Sequence, residues 1–331
     1  MLYNDALYGK VEIIEPVLRD LIACEAMLRI RGVTQHGITA LMGITPPFSR
    51  FEHCVGAMLL VRRLGANLEE QIAALLHDIS HTAFSHVIDY VFDDHKGQSY
   101  HEDKKEELVA NSDIPQILRR HGRNWREYMD EDRFPLLEQP APALCADRLD
   151  YLLRDLEFMK LATRGEIEAA IASLGAVDGR IVVNNSGAAR WLAYTYIEVD
   201  RASWSNFREV GLYQLTAEAI KAATRAGLVE EVDLWGSDAA LWEKLCSSGH
   251  PEVQQWVALI SPGTRFTWCE EQPVFRVETK VRSIDPAVCT EHSVMPLSEL
   301  DPAFARYRDE HLASKQGSWP MGVVSALHAA P

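Results

Sequence analysis

The stretch "LLHDISHTAFSH", residues 75–86, constrains the fold of this chain most strongly. Its apolar positions recur at the spacing of a buried helix face: Leu75, Leu76, Ile79, Ala83 and Phe84. The same stretch contains three histidines and an aspartate, which are costly to bury unless they are coordinated or hydrogen-bonded. On a helix, the adjacent His77 and Asp78 point about 100° apart, so they converge only beside a helix end or between several helices. The pattern therefore predicts a polar site built into a helical core.

An imidazole and a carboxylate suit a borderline divalent metal such as Mn, Fe, Co or Zn, although two ligands alone make a poor site. Two further polar residues stand where the pattern expects core: His53 in "FSRFEH" and Asp147 in "DRLDYLLRD". Taken singly, His53 is typical of a hydrogen-bonded core histidine, and Asp147 of a helix cap or a surface acid. The order H…HD…D in one chain is unlikely by accident and favours a common site.

Most of the chain carries helical patterns, namely at residues 16–31, 52–64, 68–77, 102–110, 141–159, 165–173 and 203–226. Asn67 is the predicted N-cap of the helix over 68–77. The segment 178–200 alternates β-branched and aromatic residues around Asn-Asn-Ser-Gly, which predicts a β-hairpin. From 227 onward, short helices mix with turns and strands. We expect a mainly α fold, with a helical-bundle domain over 1–226 that includes the hairpin, and a smaller C-terminal α+β lobe over 227–331.

The net charge of the chain limits the kinds of partner that we expect it to bind. A formal net charge of −15 repels the phosphate backbone, so a nucleic-acid-binding role is not expected, although a local cationic pocket could still hold a small anion. No apolar run approaches the ~18 residues that a membrane helix needs. The start "MLYNDALYGK" lacks the features of a signal peptide, and the six cysteines form no CxxC pair. We therefore expect a cytoplasmic protein with reduced thiols.

Several motifs together resemble those of a known family. They are "NDALYG" at 4–9, "LRIRGVTQHG" at 28–37, "FSRFEH" at 48–53, "LLHDISHTAFSH" at 75–86, "HE" at 101–102, "DRLDYLLRD" at 147–155 and "KVRSIDPAV" at 280–288. This set resembles the HD-domain metal-dependent phosphohydrolases. Within them it is most similar to the SAM-and-HD-domain deoxynucleoside triphosphate triphosphohydrolases and their bacterial relatives. The likeness is good from residue 4 to about 160.

The resemblance implies roles for individual residues. Four match the ligands of a single-metal site: His53, His77, Asp78 and Asp147. They imply one divalent transition metal per subunit, which could be Mn, Fe, Co, Ni or Zn, with Mg as a further candidate. Four match catalytic positions: His81, His86, Asp89 and His101. Of these, His86 stands beside the scissile phosphate as a proton donor to the leaving oxygen. Six match contacts to the substrate: Gln35, Arg50, Arg148, Tyr151, Asp155 and Tyr213.

The implied reaction is hydrolysis of a deoxynucleoside triphosphate to the nucleoside and tripolyphosphate. The chain departs from the family in three places. Ser80, Thr82 and Ala83 replace the usual Gly-rich spacing around the second histidine, and His36 replaces a commonly apolar residue. Residues 201–208 offer serines and an asparagine where relatives offer cations. Fewer cations favour the alternative, an HD-type phosphatase acting on a nucleoside monophosphate or another small phosphoester. A di-iron oxygenase would need extra histidine ligands for a second metal, and the sequence contains no convincing pair of histidines between residues 86 and 147. The full ligand set argues against a silent binding protein.

The resemblance also bears on assembly. Activated relatives form nucleotide-bridged tetramers in which an acidic residue reads a guanine base. The matching position is Ala23, whose side chain has no acceptor for the guanine N–H groups. We therefore expect hydrolysis that needs no guanine nucleotide as activator, and a homo-oligomer that is a dimer.

Overall fold

The computed structural model describes residues 1–290 and 293–324, and this part of the chain is mainly α-helical, as predicted. Its α-helices are α1 Pro16–Ile22, α2 Glu25–Arg29, α3 Ile38–Leu41, α4 Arg50–Arg63, α5 Leu68–Leu76, α6 Val87–Val91, α7 Tyr100–Ala110, α8 Ile114–Arg120, α9 Ala146–Phe158, α10 Arg164–Ser173, α11 Ser186–Val199, α12 Phe207–Arg225, α13 Glu231–Leu234, α14 Asp238–Ser247, α15 Pro251–Val257, α16 Leu297–Leu300 and α17 Pro302–Ser314. Its strands are β1 Leu2–Asp5, β2 Gly9–Glu12, β3 Leu174–Val177, β4 Arg180–Val183, β5 Arg265–Trp268, β6 Phe275–Val277, β7 Ala287–Cys289, β8 Val294–Pro296 and β9 Trp319–Val324. None of the described helices is long and apolar enough to span a membrane.

Helix α4 forms the centre of the molecule. Ser49 begins it with a capping box, in which its side chain accepts from the Glu52 N–H and the Glu52 carboxylate accepts from the Ser49 N–H. From Arg50 to Val61 every residue except Glu52 is buried, so the helix is covered on all sides. It packs against α5 and α9. His53 therefore lies inside the protein, one helical turn from the start of α4.

The stretch 75–86 differs from the predicted continuous helix. Helix α5 begins at the predicted cap, where the Asn67 side chain accepts from the Glu70 N–H, but it ends at Leu76. His77 occupies the C-cap, and turns lead to α6 through Phe84 and Ser85 in the left-handed region. The histidines and Asp78 thus stand beside a helix end, where adjacent side chains can converge.

The predicted hairpin over 178–200 is also displaced. Strands β3 and β4 pair antiparallel around Asp178–Gly179, and the Asn-Asn-Ser-Gly segment instead begins α11. The Asn185 side chain caps that helix by accepting from the Ala188 N–H at 2.7 Å. The buried positions of α11 follow helical spacing: Ala189, Leu192, Ala193, Tyr196, Ile197 and Val199. The β-branched and aromatic composition of this segment hid the helical period.

The predicted helix over 16–31 is interrupted after Ile22. Helix α2 starts anew at Glu25, whose N–H donates to Asp113 at 2.7 Å, while the Ala26 N–H donates to the same carboxylate at 3.3 Å. The local N-cap is Cys24, whose Sγ atom accepts weakly from the Met27 N–H at 3.5 Å, and the stronger partner Asp113 lies far along the chain. The local pattern therefore does not announce this helix start. Ala23, the position discussed for guanine recognition, is exposed at the break.

The chain after α12 returns to both parts of the core. Strands β5, β9 and β6 form one antiparallel sheet, while β7 joins the β3–β4 hairpin by pairing parallel to β4. Two apolar clusters run through the described residues, and each combines residues from before and after position 226. Neither cluster therefore marks the predicted boundary between the two domains, and that boundary stays a prediction. Between β6 and β7, residues 278–286 have no regular structure; we call this segment the strap.

Candidate metal and phosphate site

A cavity of about 620 Å³ opens over the end of α5, between α4, α7, α9, α12 and the strap. Most of the sequence-predicted site residues line it: Gln35, Arg50, His77, Asp78, His81, His86, His101, Asp147, Arg148, Tyr151 and Tyr213. Three others, His53, Asp89 and Asp155, lie behind this wall and are fully buried. The structure thus brings the predicted residues to one place, from helices distant in sequence.

The four predicted metal ligands converge at the floor of the cavity. The Nε2 atoms of His53 and His77 are 3.1 Å apart, and the Oδ1 atom of Asp147 lies 2.9 Å from the first and 3.4 Å from the second. The carboxylate of Asp78 completes the group, with Oδ2 at 3.6 Å from His53 Nε2 and Oδ1 at 3.8 Å from His77 Nε2. Two imidazoles and two carboxylates are a donor set for a divalent transition metal.

The orientation of the two imidazoles tests whether a metal fits. His53 Nδ1 donates to Asp150 Oδ2 at 2.8 Å, and His77 Nδ1 donates to the Ala74 carbonyl at 2.8 Å. With both Nδ1 atoms protonated, the neutral rings turn their Nε2 lone pairs toward each other and toward Asp147. Such an arrangement is repulsive unless a cation stands between them. Burial opposes charge here, yet the hydrogen bonds to Asp147 and Asp150 raise the pKa of His53 above its ordinary value, so the carboxylates around this ring favour a positive charge at this point.

Behind His53 lies a buried ionic chain that the sequence analysis did not single out. Asp150 accepts from His53, from Arg154 Nε at 2.7 Å and from the Tyr8 hydroxyl at 3.0 Å, and Arg154 Nη2 donates to Asp5 at 2.9 Å. A carboxylate behind a metal-binding histidine fixes its tautomer and its orientation. The available signal was the spacing within "DRLDYLLRD", since Asp147 and Asp150 lie three residues apart on one helix face.

The four predicted catalytic residues form a second group beside the ligands. The rings of His81 and His101 stack with centroids 3.9 Å apart, and His86 stands edge-on to both at 5.0 and 5.5 Å. Desolvation is the main reason why the pKa values of these three histidines are well below the ordinary value, so they are neutral at pH 7. His86 Nδ1 donates to Asp89 Oδ2 at 2.9 Å, and burial raises the pKa of Asp89 to about 6.

The predicted phosphate-binding arginines are already paired. Arg50 Nη1 donates to Asp78 Oδ2 at 2.5 Å, and its Nε donates to Ser85 Oγ at 3.0 Å. Arg148 Nη2 donates to Glu138 Oε1 at 2.7 Å. Each of these arginines therefore has a carboxylate partner within the protein, although the buried Nη2 atom of Arg50 has no hydrogen-bond partner among the described residues.

Asp155, predicted to contact a sugar hydroxyl, does not reach the cavity. His36 Nε2 donates to its Oδ1 at 2.7 Å and Trp204 Nε1 donates to its Oδ2 at 2.8 Å, so both oxygens are occupied. His36 and Trp204 themselves line the cavity, and the Tyr213 hydroxyl donates to the His36 carbonyl at 3.0 Å. The residue that faces a ligand at this point is thus His36, and the aromatic Trp204 was missed by the sequence analysis.

Known proteins share both sequence and fold with this chain. A family model described as "HD domain" matches residues 50–155. The "Metal-dependent phosphohydrolase cns2" of Cordyceps militaris is 36% identical over 332 residues, which cover 95% of this chain and 93% of that protein. The "Deoxynucleoside triphosphate triphosphohydrolase SAMHD1" of Danio rerio is 29% identical over 170 residues, which cover 45% of this chain and 26% of that protein.

The fold is likewise shared with a solved structure. A phosphohydrolase from Bacteroides thetaiotaomicron superposes with a TM-score of 0.73 at 17% sequence identity, over 96% of this chain and 98% of that chain. The similarity to the Cordyceps protein extends over nearly the whole of both chains, and the predicted ligand set converges as this chemistry requires. The chain belongs to the HD-domain metal-dependent phosphohydrolases.

Proposed function

We propose that this phosphohydrolase cleaves a phosphate monoester carried by a nucleoside-sized molecule. The observation that carries the proposal is the charge balance of the cavity. Among residues 1–290 and 293–324, five cationic side chains line it: Arg50, Arg148, Lys280, Arg282 and Arg308. Five carboxylates line it as well: Asp78, Glu102, Glu131, Glu138 and Asp147. When only the arginines, the lysine and the carboxylates are counted, these charges cancel, and a divalent metal leaves a formal excess of positive charge. A phosphate monoester, with its charge of about −1.5 to −2, would neutralise that excess, whereas a triphosphate would exceed it.

The aromatic side chains in the wall of the cavity support a flat, ring-containing substrate. Tyr151, Tyr196 and Trp204 form one group of ring contacts, and Tyr90 and Tyr213 form another. The Tyr151 and Tyr196 hydroxyls hydrogen-bond to each other and leave ring faces and edges as the wall. Within the described part of the chain, the buried Gln35 Oε1 has no hydrogen-bond partner, so an acceptor is available to the N–H group of a base. Stacking on aromatic rings together with one amide contact suits a nucleoside.

The residues of the site would have separate roles in the hydrolysis, namely metal binding, contact with the phosphoryl group and proton transfer. His53, His77, Asp78 and Asp147 would hold the metal, which polarises phosphoryl oxygens and makes water a better nucleophile. His81 and His101 face the phosphoryl group as neutral imidazoles, which donate or accept hydrogen bonds without adding charge.

His86 would act on the leaving group. Desolvation and Arg50 keep its pKa low in the free site, and a bound phosphate dianion would raise that pKa by supplying negative charge. Asp89 holds the ring through Nδ1, so Nε2 would deliver the proton to the departing ester oxygen.

A second candidate is a deoxynucleoside triphosphate triphosphohydrolase. The motifs between residues 4 and 160 favour it, as does the similarity to proteins of that name. Against it stand the pairing of Arg50 and Arg148 and the position of Arg201 and Arg208. These two arginines contact Glu198 and the Pro262 carbonyl, outside the cavity.

A substrate screen distinguishes the two. The Mn²⁺-loaded chain is offered nucleoside monophosphates and triphosphates, and the products are followed by phosphorus NMR, with His77→Ala as a control for contaminating phosphatases. We expect orthophosphate from a monophosphate, with triphosphates left intact. Tripolyphosphate would establish the second candidate instead, and turnover of neither class would contradict both.

A further inference from the structure

The strap is fixed at both ends over the mouth of the cavity. Val277, just before it, is buried in the apolar cluster around α12, and Ile284, within it, is buried in the cluster around α4. Since these two side chains anchor the strap to different parts of the core, the residues between them are stretched across the opening.

Hydrogen bonds hold the strap to both rims. On one side, Arg282 Nη2 donates to the buried Gln98 Oε1 at 2.6 Å. On the other, the Asp285 N–H donates to the Pro142 carbonyl at 2.8 Å, and the Asp285 carboxylate accepts from Arg308 Nη1 at 2.7 Å. The backbone of the strap and the Arg282 side chain are therefore held in position before any ligand arrives, while the Lys280 ammonium has only a 3.4 Å contact to the Gly97 carbonyl.

Two side chains of the strap are cations that form no ion pair within the described part of the chain. Lys280 and Arg282 both line the cavity, Lys280 exposed at its mouth and Arg282 half-buried. Among residues 1–290 and 293–324, neither has a carboxylate within ion-pair distance, whereas the three other arginines that line the cavity each have one at 2.5 to 2.7 Å.

These two charges also act on the catalytic end of the site. Desolvation and the neighbouring Arg282 guanidinium lower the pKa of Lys280, and both cations contribute to the low pKa of His86. Two like charges that stand together at a partly desolvated wall repel each other, and a bound anion would relieve this repulsion.

We propose that Lys280 and Arg282 form an anion clamp that binds the phosphoryl group of the substrate on the His86 side of the cavity. A guanidinium offers paired N–H donors that match phosphate oxygens, and an ammonium adds a compact charge. The identity of the anion rests on the proposed function; the binding of phosphate itself does not. The clamp lies outside residues 50–155, so the HD segment alone does not contain the whole site.

The test compares Lys280→Gln and Arg282→Gln with a matched control, Arg276→Gln. Arg276 lies on β6 only a few residues away, is exposed, pairs with Glu270 and does not line the cavity. Calorimetry measures the binding of inorganic phosphate to the metal-loaded full chain, and KM and kcat are measured with the phosphomonoester that the screen identifies. We expect each clamp variant to bind phosphate about tenfold more weakly or worse and to raise KM more than it lowers kcat, with unchanged metal content. Arg276→Gln should behave as the unchanged protein.

The outcomes separate the clamp from the proposed function. If phosphate affinity and KM are unchanged in both clamp variants, or if the unchanged protein does not bind phosphate, the clamp is wrong even when monoesters are hydrolysed. If the variants lose metal together with phosphate, their effect is structural and the clamp is again overturned. If phosphate binding weakens as expected but no monoester is turned over, the clamp stands and the proposed substrate class falls.

Discussion

Gly56, in the middle of α4, provides a sharp test of the buried ionic chain behind His53. A Cβ atom at this position would lie 1.9 Å from Arg154 Nη2 and 2.2 Å from Asp150 Oδ1. Both partners are fully buried, so neither can swing into solvent, and α4 and α9 must separate or the Asp150–Arg154 pair must break. The contact therefore requires displacement of groups that the fold holds firmly.

The magnitude of the Gly56→Ala effect follows from two opposing contributions. Breaking a buried ion pair by disturbing one partner costs ~3–5 kcal/mol. Replacing a mid-helix glycine by alanine stabilises the helix by ~1 kcal/mol. We expect a net loss of about 2–4 kcal/mol in the free energy of unfolding. The metal should also bind roughly 10–100-fold more weakly, because His53 loses its oriented partner Asp150.

The assay is urea unfolding of the metal-free chain together with titration of the metal. Gly165→Ala is the matched control, since Gly165 lies exposed in α10 and an added Cβ atom meets nothing within 4 Å. That variant should be as stable as the unchanged chain or slightly more stable. If Gly56→Ala behaves in the same way, the close packing of α4 against the Asp150–Arg154 pair is refuted.

Other variants test the site and its surroundings. His77→Ala should lose bound metal while remaining folded, as measured by elemental analysis and circular dichroism; full metal occupancy would contradict its role as a ligand. His86→Ala should keep its metal and lose ~10²–10⁴ in turnover, and a loss below about tenfold would remove the proton-donor role. Burial raises the pKa of Glu209 from 4.5 to about 7, so its contribution to stability is full below about pH 4.5 and is lost as the pH rises through about 7. Glu209→Gln should remove up to about 3 kcal/mol of that pH dependence, as measured by urea unfolding at about pH 5 and about pH 8; an unchanged profile would contradict it. Because Ala23 cannot accept from guanine, turnover should not rise sigmoidally with added GTP, and a steep sigmoidal response would show that this inference is wrong.

Parts of the fold follow from local patterns, and others depend on distant contacts. Helices that begin at strong caps, such as α5 at Asn67, were predicted closely, because the capping residue and the apolar period agree. The break between α1 and α2 was not predicted, because the local cap at Cys24 is weak and the main acceptor for the first N–H groups of α2 is the distant Asp113. The hairpin was displaced because the composition of α11 favours strands although its apolar spacing is helical.

The sequence by itself determined the family, the mainly helical fold and the set of candidate metal-binding and histidine side chains. Those residues lie in short motifs, so the types of residue and their order along the chain indicate their chemistry. Only the tertiary structure decided which cations remain free and which carboxylates are occupied. Arg50 and Arg148 are balanced by Asp78 and Glu138, while Lys280 and Arg282 are brought to the cavity by the strap. The physical reason is that the charge available to a substrate depends on through-space pairing between segments far apart along the chain, which no local pattern records.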